Sequence, residues 1–126
     1  MRPREVKVIR SYIYASCTSC RKTDAWLKDS GADYVSRDYF RDRFSRDELT
    51  RILNDARLPV RDVLSTRSKV YKDNQSEIDG LSDDALLGRM IDEPTLLRRP
   101  IVIGAGGAIV GHNPKRLEAL VLGDDD

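Results

Sequence analysis

The pattern of apolar and polar residues at the start of the chain predicts a strand, a helix and a second strand. Residues 6–14 are rich in β-branched and aromatic side chains, which is typical of a strand. A helix follows after a short turn, with Thr18 or Ser19 as its N-cap, and Gly31 ends it. Residues 32–38 are predicted as a second strand.

Helical spacing of apolar residues dominates the middle of the chain, over about residues 42–95. Ser45 and Glu48 form a capping-box pattern that opens one helix. Residues 59–71 are predicted as short helical pieces, and a further helix begins near Leu81.

The C-terminal part of the chain predicts a strand hairpin and a last helix. Residues 100–103 form an apolar strand, and residues 108–110 pair back with it across a turn at residues 106–107. His112 or Asn113 caps the helix that follows.

The order of these elements indicates the fold class. Without the helical block, the order is that of a thioredoxin-like fold. We therefore predict an α/β protein with a central mixed four-stranded sheet and an inserted helical block. The prediction is a single domain over residues 1–126, with the insert at about residues 42–95 and a disordered tail at about residues 123–126.

Composition and charge exclude several function classes. The chain has 126 residues, 40% hydrophobic and 34% charged, with a net charge of +1. This balance is typical of a globular domain and gives no bulk attraction to nucleic acid or to a membrane. The charged N-terminus does not resemble a secretory signal, and no apolar stretch is long enough to span a bilayer. We expect a cytoplasmic protein with no membrane partner and no direct nucleic-acid binding.

The only two cysteines, Cys17 and Cys20, lie at the predicted strand-to-helix junction. Such a pair can exchange a dithiol for a disulfide, supply half a metal site, or be buried incidentally. A zinc site needs two further ligands, and His112 is the only other strong candidate. A permanent structural disulfide is unusual in the cytosol. Redox use is therefore favoured and no metal is expected, with incidental burial as the alternative.

The position of each cysteine predicts its role. Cys17 precedes the helix, where unpaired N–H groups and the helix dipole lower a thiol pKa, so Cys17 is the predicted attacking thiolate. Cys20 lies one turn further on and is the predicted resolving thiol. Arg21 is close enough to add positive charge.

Arginines form a second candidate group. Arg99 and Pro100 precede the apolar strand whose start, in a thioredoxin-like layout, lies against the cysteines, and the X-Pro bond there is often cis. Arg99 would then point at the thiolate, and Arg67 is a further candidate. Guanidinium groups donate two parallel hydrogen bonds to tetrahedral oxyanions. The alternative for any one arginine is a solvated surface charge.

Four separated motifs closely resemble the arsenate reductase/Spx family. They are CTSCRK at residues 17–22, LSTRSK at 64–69, LRRPI at 97–101 and VGHN at 110–113. The resemblance covers about residues 7–121 and implies a thioredoxin-like domain with an inserted helical block.

The resemblance implies two competing functions. In the glutaredoxin-type arsenate reductases a cysteine attacks arsenate and arginines hold the oxyanion. In the Spx-type regulators a CxxC senses oxidation and the protein binds the α-subunit of RNA polymerase. Cys17, Arg21 and Arg99 match positions of the family site, whereas Cys20 and the LSTRS stretch are more similar to the Spx branch.

The chain also departs from both branches. Ser65 aligns near a position where the reductases have an arginine, and Arg67 follows two residues later. His112 aligns with a second position where the reductases have an arginine. Pro59 stands where the Spx surface that docks on polymerase has a glycine, and proline cannot reproduce a glycine-dependent contact.

The prediction from sequence is an arsenate reductase that uses its own dithiol. Cys17 attacks arsenate, which is held by Arg21, Arg99 and Arg67. A disulfide with Cys20 remains and is recycled by thioredoxin, or by glutathione and glutaredoxin, and no cofactor is required. The alternatives are an Spx-like regulator that binds the RNA polymerase α-subunit and a general disulfide oxidoreductase.

Overall fold

A computed structural model describes residues 8–104 and 107–122 of the chain. The strands are β1 (Ile9–Ile13), β2 (Tyr34–Asp38), β3 (Ile101–Gly104) and β4 (Gly107–Val110). The helices are α1 (Thr18–Ser30), α2 (Arg46–Ala56), α3 (Lys69–Asp73), α4 (Gln75–Asp79), α5 (Asp83–Asp92) and α6 (Pro114–Leu122), with short 3₁₀ helices at Val60–Val63 and Pro94–Leu96. None of these helices is long and apolar enough to cross a membrane.

The described chain divides into two compact units. The sheet unit takes in the chain up to Arg37 and from Arg99 onward, and the helical unit is Asp38–Arg98. The helical unit is the inserted block that the spacing of apolar residues predicts. The single domain over residues 1–126 stays a prediction, and the predicted tail at residues 123–126 lies outside the described residues.

One mixed four-stranded sheet forms the centre of the sheet unit, in the order β2–β1–β3–β4. β1 is antiparallel to β3, with Ser11 opposite Val102, and β3 is antiparallel to β4, with Val102 opposite Ile109. The predicted α/β, thioredoxin-like architecture is confirmed. Gly107 belongs to β4, and the other predicted turn residue, 106, is not among the described residues.

The core of the sheet unit joins the sheet to α1 and α6. Its buried members come from three strands and both helices: Ile9, Leu27, Val102, Ile109 and Leu117. This packing fixes α1 against the sheet, and so it also fixes the first turn of α1 near the end of β1. That junction is where the two cysteines lie.

The caps of α1 differ from the prediction at one end. Gly31 ends the helix with φ +78°, as predicted, a conformation that glycine adopts without strain. The N-cap is Cys17, so the prediction of Thr18 or Ser19 was wrong. Cys17 is extended, and its carbonyl already accepts the N–H of Arg21 at 3.0 Å, which places Thr18 inside the helix.

Two other predicted caps are present. Ser45 caps α2 in a full capping box with Glu48, as predicted. At α6 the side chain of Asn113 accepts the N–H of Arg116 at 3.2 Å. Of the two predicted caps there, Asn113 is therefore the cap, and the ring of His112 makes a different contact.

Candidate redox site

Cys17 is the N-cap of α1, and Cys20 lies in the first turn of that helix. Cys17 is partly exposed, whereas Cys20 is completely buried, with 0% of its surface accessible. Both are free thiols, and their side chains are hydrogen-bonded to each other. Because the two thiols are within hydrogen-bonding reach of each other, they are placed to form a disulfide.

Two opposing effects set the pKa of the Cys17 thiol. Partial burial raises this pKa, because desolvation disfavours the thiolate. Four groups lower this pKa, and together they outweigh the effect of burial. They are the backbone N–H of Cys20, the Cys20 thiol, the Arg99 guanidinium and the backbone of Ser19. The N–H groups of the first turn of α1 and the positive charge of Arg99 therefore favour the thiolate form of Cys17.

Burial has the opposite net result at Cys20. It raises the pKa of the Cys20 thiol to about 12. The N–H of Tyr14, which lies 3.4 Å from the sulfur, and the charge of Arg99 act against this, while the adjoining Cys17 disfavours a second thiolate. The site therefore holds one ionisable thiol at its surface and one neutral thiol beneath it.

Arg99 lies beside this pair. Its guanidinium carbon is 5.6 Å from the centre of the Tyr14 ring, within the range of a cation–π contact. Its charge favours the thiolate form of both cysteines. The Arg99–Pro100 peptide bond is cis, as expected, and the buried Pro100 accepts the N–H of Gly111 at 2.8 Å.

The other two predicted arginines have different surroundings. The guanidinium of Arg21 donates to the carbonyl of Ser16 at 3.3 Å, in the loop before Cys17. Arg67 belongs to the helical unit, in the turn that leads to the α3 cap Ser68, and it is exposed. The structure therefore brings Arg99 to the cysteines, whereas Arg21, on α1, turns its guanidinium to the loop that precedes Cys17.

The LSTRSK segment has a fixed backbone within the helical unit. Ser65 donates its N–H to Leu96 at 2.7 Å, and Arg98 donates its N–H to Val63 at 2.8 Å. These two bonds join the segment to the chain that runs towards Arg99.

Tyr14 and Thr23 are site residues that no motif marks. Thr23 is fully buried on α1, three residues after Cys20 and so on the same helix face. Its hydroxyl is 2.7 Å from Nδ1 of His112. In the sequence, only its i, i+3 spacing from Cys20 indicates that Thr23 belongs to the site. No local pattern predicts its contact with His112, which is 89 positions away.

Breaking the Thr23–His112 hydrogen bond should destabilise the fold by an amount that depends on which of the two residues is replaced. Thr23→Val should lower the free energy of unfolding by about 0.5–1.5 kcal/mol, since the partly exposed His112 can turn to water. His112→Phe should lower it by about 1–3 kcal/mol, because the buried hydroxyl loses its partner. Denaturant unfolding of both variants and the double variant measures this. Additive losses in the double variant would show that the two groups are not coupled.

Histidine, cysteine, aspartate and glutamate side chains are the groups with which proteins usually bind metal ions. Across residues 8–104 and 107–122, no group of three or more His, Cys, Asp or Glu side chains could hold a metal ion.

The chain is similar in sequence and in fold to known proteins. A family model described as the ArsC family matches residues 12–120 of the chain. The chain belongs to the ArsC family. The resemblance predicted from the four sequence motifs is thereby confirmed, and the thioredoxin-like fold agrees with it.

Relatives of this ArsC-family chain include both regulators and reductases. It is 38% identical over 106 residues to the regulatory protein MgsR of Bacillus subtilis, covering 84% of each protein. It is 33% identical over 117 residues to the global transcriptional regulator Spx of Streptococcus pyogenes, covering 93% of this chain and 87% of Spx. The solved structure of an arsenate reductase from Vibrio cholerae matches with a TM-score of 0.79 at 29% identity, covering 92% of this chain and 99% of that one.

Proposed function

We propose that this ArsC-family protein is a thiol-based redox regulator of the kind that Spx and MgsR represent, with Cys17 and Cys20 as its switch. The observation that carries the proposal is the contact between the partly exposed Cys17 and the buried Cys20 at the start of α1. One thiol is open to an oxidant and the other is placed to trap the product. The chain is also more similar in sequence to MgsR and Spx, at 38% and 33% identity, than to the matched reductase, at 29%.

The proposed oxidation takes two steps. The Cys17 thiolate attacks one oxygen of a peroxide, the O–O bond breaks, and the other oxygen leaves as water after protonation. The resulting sulfenic acid is attacked by the Cys20 sulfur, whose proton leaves with the hydroxyl group as a second water. The two thiols lose two electrons in total, and the disulfide that remains is reversed by thiol exchange with a reductant such as thioredoxin.

The proposed partner is the α-subunit of RNA polymerase, in a cytoplasmic setting. This follows from the similarity to Spx regulators. At Pro59 the contact with the polymerase would differ from that of Spx. Pro59 is exposed with φ −63°, and it presents a ring where Spx has a glycine.

Binding to the isolated C-terminal domain of the polymerase α-subunit tests this proposal. The purified protein is measured in dithiothreitol and again after peroxide treatment. We expect a complex whose affinity changes on oxidation, and we expect Cys20→Ser to remove the change, since it cannot form the disulfide. No complex in either redox state, or the same change in Cys20→Ser, would contradict the proposal.

A second candidate function is arsenate reduction, and the position of Arg99 beside Cys17 favours it. In this cycle the Cys17 thiolate attacks arsenate and displaces water, forming a sulfur–arsenic bond. The oxyanion is held by Arg99, with Arg21 as a further ligand in this proposal. The Cys20 sulfur then attacks the Cys17 sulfur, the sulfur–arsenic bond breaks, and its electron pair leaves with arsenite, which also takes the proton of the Cys20 thiol.

Arsenate reduction is tested by coupled turnover. Arsenate-dependent oxidation of NADPH is followed with a thioredoxin system and, separately, with glutathione and glutaredoxin. Turnover that Cys17→Ser abolishes would support the enzyme. A requirement for Cys20 would select the thioredoxin route, because only that route needs the internal disulfide. No turnover with either system excludes the enzyme.

A further inference from the structure

Tyr14 contacts Cys17, Cys20 and Arg99. It follows β1 directly, and its carbonyl accepts the N–H of Cys17 at 2.9 Å. Its own N–H donates to the sulfur of Cys20 at 3.4 Å. Its ring faces the guanidinium of Arg99, with 5.6 Å between the guanidinium carbon and the ring centre.

The ring of Tyr14 is one of the contacts that place the Arg99 charge. An arginine side chain is long and flexible, and a partly exposed one samples many rotamers unless a contact selects one. The face of an aromatic ring attracts a guanidinium within about 6 Å. The Tyr14 ring is attached to the same loop as the cysteines, so a guanidinium that stays on the ring also stays beside the sulfurs.

We propose that Tyr14 is a positioning residue of the redox site, whose ring holds the Arg99 guanidinium beside the Cys17–Cys20 pair. Its backbone groups fix the two cysteines, and its side chain fixes the charge that acts on them. The proposal rests on the proposed function in one respect, which is that Cys17 is the attacking thiolate. It applies equally to oxidation by peroxide and to attack on arsenate.

The two parts of this role can be separated by substitution. The N–H and carbonyl of residue 14 are kept in any variant other than proline, so the backbone contacts with the cysteines remain. A side-chain substitution therefore removes the ring contact with Arg99 while these backbone contacts stay. Tyr14→Phe keeps the ring face, whereas Tyr14→Leu and Tyr14→Met remove it at similar side-chain size.

The experiment is the pH profile of Cys17 alkylation by iodoacetamide, followed by peptide mass spectrometry. Tyr14→Leu and Tyr14→Met should slow alkylation near neutral pH roughly two- to five-fold and move the profile to higher pH, which is the effect of a lost cation–π contact at a partly exposed ring. Tyr14→Phe should keep the original profile. In an Arg99→Gln background, Tyr14→Leu should have no further effect.

The same measurements show how the proposal fails. An unchanged profile in both ring-free variants, or an equal slowing with and without Arg99, would overturn it. Failure of the proposed function is a separate result, because it is read from disulfide formation and partner binding of the unsubstituted protein. Tyr14→Met serves as the independent second variant if Tyr14→Leu does not fold.

Discussion

Cys17→Ser should abolish formation of the intramolecular disulfide, and Cys20→Ser should leave Cys17 reactive but unable to close it. In the first variant the remaining thiol is completely buried and has a pKa raised to about 12, so it offers almost no thiolate to an oxidant. In the second, Cys17 keeps its exposure and the nearby Arg99 charge. Its oxidised form then accumulates as a sulfenic acid or as a mixed disulfide with added glutathione.

Mass spectrometry of the intact protein after peroxide treatment distinguishes these products. The unsubstituted protein should lose two hydrogen atoms per chain, and dithiothreitol should restore them. Cys17→Ser should show no change, and Cys20→Ser should gain oxygen or one glutathione. Oxidation of Cys17→Ser at the rate of the unsubstituted protein would mean that Cys20 is the attacking thiol, and the assigned roles would be reversed.

Leu27→Ala should lower the free energy of unfolding by about 2–5 kcal/mol, the range for a large-to-small substitution in a core. Leu27 has no exposed surface and belongs to the buried cluster with Ile9, Val102 and Leu117. Removing its side chain leaves a cavity between α1 and the sheet, and the packed neighbours can fill it only in part.

Urea unfolding followed by circular dichroism measures this loss. Lys22→Ala on the same helix is the matched control, because Lys22 is exposed and its replacement should change stability by less than about 0.5 kcal/mol. A loss below about 1 kcal/mol for Leu27→Ala would contradict the described core. Since this packing holds the helix that begins with the cysteines, the result also bears on how the site is fixed.

Local patterns were sufficient for much of the fold. Gly31 at the end of α1 and the Ser45–Glu48 capping box lie within a few residues of the backbone groups that they satisfy, so the sequence alone indicates them. The CxxC spacing likewise places both cysteines in one helical turn. The inserted block is visible from its apolar spacing, and the strand hairpin from its apolar runs.

Local patterns failed where the deciding partner is a backbone group or is distant in the chain. Thr18 and Ser19 have the hydroxyls that usually cap helices, yet the carbonyl of Cys17 already accepts a helical hydrogen bond. Propensity gives no warning of this, because a thiol is not a common cap. The contact between Thr23 and His112 spans 89 positions, so only the fold brings the two residues together.

The arginines show both outcomes. The position of Arg99 before Pro100 and the apolar strand is what indicates it from the sequence, and its charge does act on both cysteines. The fold explains this, because the strand that begins after Pro100 pairs with β1, whose end leads to the cysteines. Arg21 is adjacent in sequence, yet its guanidinium donates to Ser16.

The central claim is that Cys17 is an accessible thiol with a lowered pKa and Cys20 a buried thiol with a raised pKa. The most direct test is the alkylation rate of each cysteine between about pH 5 and pH 10, in the folded protein and in urea. Because the pKa of Cys17 is lowered on folding and that of Cys20 is raised, folding should move the Cys17 profile to lower pH and leave Cys20 unlabelled across the range. A Cys17 profile at the same or a higher pH in the folded protein, or equal labelling of both cysteines, would contradict the account.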